Sequence, residues 1–196
     1  MINHRLGTVA LLAFFAPAPL FAAAGHLAFS VDKETQSYTI TEQGRPVLTY
    51  RFGEVPLPAG VQASHFSKRD TPYNGAYFTD GSRYGGERSD YIYPLYGFHG
   101  EPLTADYPKD HLHHRSLWWS WCEVRHNDKI GDLWAVCKIR AYPVKITKME
   151  AHADEAVLQA VNVWRYDDDP AAVVNETVTI RASKTAGIPG ARSRAV

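Results

Sequence analysis

Several things are scarce in this chain of 196 residues, and each scarcity excludes something. Cysteine occurs twice, at Cys122 and Cys137, so at most one internal disulfide can form. Neither sign of charge is in excess: 21 Lys plus Arg stand against 21 Asp plus Glu, for a net charge of +0. A polyanionic partner such as nucleic acid is therefore not favoured. After residue 24 no apolar run is long enough to cross a bilayer. Helical periodicity is hard to find anywhere in the chain. What is present, 45% hydrophobic, 12% aromatic and 21% charged residues, excludes a disordered or collagen-like chain and fits one globular domain.

The only long apolar run lies at the start. Residues 1–24 place Arg5 in a short polar head, follow it with an apolar stretch broken by Pro17 and Pro19, and end on Ala22, Ala23 and Ala24. This is the three-part layout of a secretory signal peptide. A membrane anchor needs about 20 uninterrupted apolar residues, which the two prolines deny. Export to the periplasm or the medium is expected, with no membrane span after signal cleavage. In an oxidising compartment Cys122 and Cys137 become candidates for a disulfide, the alternative being two buried thiols acting as small hydrophobes.

Short alternating runs rich in Val, Ile, Thr, Tyr and Trp recur through the rest. Residues 35–41 and 46–52 flank Glu42-Gln43-Gly44-Arg45 and read as a hairpin. Residues 53–90 are rich in Gly, Pro, Asp, Ser and Tyr, with only 75–78 resembling a strand, and read as a long irregular region. Strand signals return at 91–96, 117–124, 133–141, 144–149, 156–166 and 173–181, with turns at Asn127-Asp128-Lys129-Ile130-Gly131 and Asp167-Asp168-Asp169-Pro170. The expected fold is an all-β antiparallel sandwich spanning residues 25–181. Residues 182–196 are small and basic, and read as a disordered tail.

One cluster carries chemistry. Asp110, His111, His113, His114 and Arg115 fall within six positions, and Trp118, Trp119 and Trp121 follow directly. Three readings compete. In the first, His111, His113 and His114 ligate a divalent metal such as zinc, with Asp110 or Asp106 as a further ligand or a partner to an imidazole. In the second, a histidine paired with Asp110, Asp106, Glu101 or Glu123 moves protons on a bound substrate, Arg115 holds a carboxylate or oxyanion, and the indoles pack on a sugar ring. In the third the cluster is structural: Trp119 and Trp121 share one face of a strand and Trp118 with Ser120 the other, one face being core, while the histidines and Arg115 satisfy buried backbone groups. Tyr91, Tyr93 and Tyr96 read as loop packing.

Residues 91–121, with P-L-Y-G at 94–97, the Asp106-Tyr107-Pro108 step and D-H-L-H-H-R-S-L-W-W-S-W at 110–121, resemble the exported bacterial PmoA-like family, a domain of unknown function carrying the label "methane oxygenase PmoA". The similarity extends over residues 27–181, with Leu112 standing where the family more often has Pro. The resemblance implies a β-sandwich protein of carbohydrate metabolism. It also implies a longer domain, so the sandwich is expected to lack its last strands and residues 173–180 to lie at or near an exposed edge. The oxygenase label fails a physical check, since a particulate methane oxygenase subunit crosses the membrane several times and this chain offers no span after Ala24. The expected function is binding of a carbohydrate or glycoside, with action on it through His111, His113, His114, Asp110 and Arg115 and contacts from Trp118, Trp119 and Trp121. The alternative is a non-catalytic carbohydrate-binding module.

Overall fold

A computed structural model describes residues 26–61, 86–109, 111, 113–184 and 194–195. The expected leader, residues 1–24, and the short strand at 75–78 lie outside these residues. Among the described residues there is no helix, and the chain is all-β as expected. Its strands are β1 (Leu27–Asp32), β2 (Ser37–Glu42), β3 (Arg45–Arg51), β4 (Tyr91–Leu95), β5 (Leu117–Trp118), β6 (Val124–His126), β7 (Lys129–Gly131), β8 (Ile139–Ala151), β9 (Glu155–Tyr166), β10 (Val174–Ser183) and β11 (Arg194–Ala195). One antiparallel sheet runs in the order β1-β2-β3-β4-β5, a second in the order β11-β10-β9-β8, and β6 and β7 form a separate hairpin.

Local chemistry explains the clearest elements. The β2–β3 turn needs positive φ at both central residues, and Gln43 (52°) and Gly44 (75°) supply it. Along β9, Leu158, Ala160, Asn162, Trp164 and Tyr166 alternate inward, and on β10 Val178, Ile180 and Ala182 do the same. Gly131 is required where β7 passes β8, because an added Cβ would stand 2.6 Å from the Ile139 side chain.

Leu27, Ile40, Leu48, Tyr50, Phe52 and Ile92 of the first sheet gather with Ala156, Leu158, Ala160, Val178, Ile180 and Ala182 of the second in one apolar cluster. A shared cluster of this kind supports face-to-face packing of the two sheets. A second cluster, Leu133, Ile139, Trp164 and Tyr166, lies under the β6–β7 hairpin, which the Tyr166 hydroxyl ties down by donating to the Val124 carbonyl at 2.9 Å.

Three expectations change. The strand expected at 117–124 stops at Trp118. The run from Leu133 to Lys138 is a turn, because Asp132 Oδ1 captures the Ala135 N–H at 2.9 Å while Asp132 and Cys137 exchange backbone hydrogen bonds of 2.9 and 2.8 Å. The tail is not patternless throughout: β10 continues to Ser183, and Ala195 and Arg194 pair with Ala182 and Ser183. Over the rest of β10, no further strand lies beside it among the described residues.

A polar network crosses the core. Tyr50 on β3 donates to Asp90 Oδ1 at 2.6 Å and accepts from Asn162 Nδ2 on β9 at 3.2 Å, while Trp164 Nε1 donates to Glu176 on β10 at 3.2 Å. Glu176 is hydrogen-bonded to Asp90, so the two carboxyls share a proton; burial first, and then Asp90, push Glu176 up to about 8. A raised folded pKa means that this stabilisation is complete below the ordinary carboxyl value and is lost as pH rises through about 8. Wild-type protein is therefore expected to lose urea stability between pH 5 and 8 more steeply than Glu176→Gln, whose amide needs no proton. Parallel slopes in the two pH series would refute the shared proton.

Candidate functional site

The site is assembled around Arg115, which is 1% exposed. Its Nε donates to Asp106 Oδ1 at 2.5 Å, its Nη2 to the Tyr91 hydroxyl at 2.6 Å, and its Nη1 to the Tyr107 hydroxyl and the Gly86 carbonyl. Tyr91 in turn donates to Asp106 Oδ2 at 3.1 Å. The guanidinium lies over the Tyr107 ring at 3.8 Å. Burial is the largest influence on both phenols, lifting Tyr107 to about 12 and Tyr91 further, so they stay protonated as hydrogen-bond donors. Arg115 was expected to hold a substrate anion; its donors are instead committed to the protein's own Asp106 and tyrosines.

This anchor positions the histidines. Tyr107 N donates to the His114 carbonyl at 3.1 Å, and two tight turns, His111 N to Pro108 O at 3.0 Å and His114 N to His111 O at 2.8 Å, fold the segment back on itself. The three imidazoles therefore meet: His111 stacks on His114 at 4.8 Å between ring centres, and His113 stands edge-on to His114 at 4.5 Å. His114 continues to Trp118 at 5.4 Å and Trp134 at 5.8 Å, and the two indoles lie 5.0 Å apart. Trp134 is 38% exposed.

The other expected site residues go elsewhere. Trp119 and Trp121 do not share a face: Trp119 packs on the main core, while Trp121, 57% exposed, lies 5.1 Å from Trp164. The chain leaves the strand after Trp118, so alternation no longer applies. Asp110 lies outside the described residues. Of the acids considered as proton partners, Asp106 is bound by Arg115, Glu101 accepts from the His99 N–H at 2.9 Å, and Glu123 pairs with Arg125. Among the described residues no three His, Cys, Asp or Glu side chains are placed to hold a metal ion. His111 and His114 present ring faces to each other, whereas ligation by both needs in-plane lone pairs that converge. Cys122 and Cys137 are thiols with no disulfide between them, Cys137 being buried beside Asp132.

Two residues near the imidazoles had no role in the sequence reading. Trp134 stands in a run of strand-like composition, and Arg88 in a region without periodicity. Arg88 is 5% exposed, its guanidinium 5.4 Å from the centre of the Trp118 ring, and its Nη2 donates to the Leu133 carbonyl of the Trp134 turn. Burial first, then the charge of Arg115, lower its pKa to about 9.

These features describe an all-β protein with an aromatic and imidazole-rich loop face hung on a buried ion pair. The chain belongs to DUF6807, a family of unknown function, whose sequence profile matches residues 37–194. That description names no activity and carries neither the PmoA-like nor the oxygenase label. The match passes Arg181, where the expected similarity ended, in keeping with the pairing of β11 on β10. No curated protein and no solved structure matches the chain.

Removing one partner of a buried ion pair leaves the other charged and desolvated, which costs about 3–5 kcal/mol. Asp106→Ala is expected to lose stability on that scale in urea titration. A loss below about 1 kcal/mol would put the Arg115 network among contacts of surface strength.

Proposed function

We propose that this protein is an exported, PmoA-like carbohydrate-binding protein, and that a carbohydrate or glycoside binds at the face formed by His111, His113, His114, Trp118 and Trp134. The observation that carries this reading is the part-exposed indole of Trp134, 5.0 Å from Trp118 and 5.8 Å from His114. A sugar presents an apolar C–H face that suits an indole, and hydroxyls that suit adjoining imidazoles, whose nitrogens donate or accept. The signal-like residues 1–24 support export, and the D-H-L-H-H-R motif supports the PmoA-like relationship. Among the described residues no helix is long and apolar enough to cross a membrane.

Binding is the reading put forward, because among the described acids Asp106, Glu101 and Glu123 are each engaged as described above. A general acid or base would have to come from the imidazoles or from Asp110, which lies outside the described residues. Glycan-array screening followed by calorimetry on the best hit tests the proposal. Trp134→Ala is expected to weaken binding by about tenfold or more, in the range of a lost aromatic anchor. Trp121→Ala, which removes an indole tilted against Trp164, is expected to leave it within about twofold. Equal losses in the two variants, or no glycan bound at all, would defeat the assignment of this face.

A further inference from the structure

Two hydrogen-bond donors beside the imidazoles have nothing to donate to. Arg88 Nη1 and Trp118 Nε1 are both buried and without a hydrogen-bond partner. They belong to adjacent groups, the Arg88 guanidinium carbon lying 5.4 Å from the centre of the Trp118 ring. Neighbouring carboxylates are already used: Asp106 binds Arg115, while Asp90 accepts from Tyr50 and shares a proton with Glu176. A buried guanidinium with a vacant donor is costly: burial and the second guanidinium, Arg115, both act against its charge, and the nearby Asp90 offsets less than either. An incoming anion removes that cost. Two donors, one of them charged, match a group with two acceptor oxygens and a negative charge, which describes a carboxylate. A neutral hydroxyl would offset no charge.

We propose that Arg88 and Trp118 form the receptor for a ligand carboxylate, so that the saccharide bound at the imidazole and indole face is acidic, a uronic acid or a uronate-containing glycan. This rests on the carbohydrate reading above and narrows it to one substrate class. The imidazoles and Trp134 then contact the sugar ring, and the buried donor pair reads its charge.

Calorimetry at fixed ionic strength with oligogalacturonate, oligomannuronate and oligoglucuronate, each beside its methyl ester, tests the proposal. The ester keeps the sugar and removes the charge. At least one acid is expected to bind about tenfold or more tightly than its ester. In Trp118→Phe, which keeps an aromatic ring for His114 and Trp134 but loses the pyrrole ring with its N–H, that ratio is expected to fall severalfold, and in Arg88→Gln to approach one. Should Arg88→Gln fail to fold, Trp118→Phe and Arg88→Lys carry the comparison. Equal binding of acid and ester, or binding of neutral glycans alone, overturns the carboxylate receptor and leaves the carbohydrate reading standing. No binding by any acidic or neutral glycan overturns both. Acetate displacing the uronate at equal concentration would show a receptor for free carboxylates and overturn the saccharide assignment.

Discussion

A guanidinium cannot be buried without acceptors for its N–H groups, and satisfying Arg115 dictates how four separated pieces of chain meet. Asp106 supplies the charge, Tyr91 from β4 and Tyr107 supply hydroxyls, and Gly86 supplies a carbonyl. Pairing alone would not hold these segments, since Asp106 and Arg115 form only an isolated β-bridge. The ion pair and its phenols convert a long, turn-rich loop into a fixed platform. The histidines are carried on the segment that this platform closes, which is why three imidazoles so near in sequence also meet in space.

Two hydrogen-bonded sets of polar groups run through the interior, and several buried polar atoms are left without a hydrogen-bond partner, among them Asn162 Oδ1, Arg88 Nη1 and Trp118 Nε1. Arg115 with Asp106, Tyr91 and Tyr107 balances charge against charge. Tyr50, Asp90, Asn162, Trp164 and Glu176 link the two sheets, and there the balance is reached by retaining a proton. Arg88 and Trp118 lie between these sets and are closed by neither. Buried polar groups are ordinarily satisfied, and what sets Arg88 and Trp118 apart from the other unpartnered atoms is that one of them is a charged donor and that the two groups are adjacent.

Period-2 alternation with turn chemistry made most strands legible. Residues 35–52, with Gln43 and Gly44 between two alternating runs, and residues 156–181 carry both signals, and the structure follows them. Composition misled where a side chain competed with the ladder: residues 133–138 have strand-forming character, yet Asp132 folds them into a turn. The meeting of the imidazoles with Trp118 was legible from the crowding of His and Trp. Its division was not, because Arg115 and the imidazoles look alike as polar neighbours until burial separates them. Arg88 was out of reach of any local pattern: its partners, Trp118 and Leu133, stand 30 and 45 positions away in sequence.

The backbone around the platform is held in conformations that L residues seldom adopt. Asp90 (φ 62°), Tyr107 (52°) and Ser116 (72°) are all left-handed without being glycine, and each is a member of the polar networks or stands next to one. Such residues cost of order 1–3 kcal/mol each and persist only where their surroundings over-determine them. Here the surroundings are the two polar networks: Asp90 is held by Tyr50 and Glu176, and Tyr107 by the Arg115 guanidinium. Ser116 is the instructive case. A left-handed residue between Arg115 and Leu117 breaks the alternation of side chains, so that Arg115 points into its tyrosine cage while Trp118, two positions after Ser116, turns its ring to Arg88 and His114. An extended Ser116 would reset the direction of every side chain after it and separate the indole from the guanidinium. The left-handed backbone at this residue is therefore what lets Arg115 and Trp118 serve different surroundings.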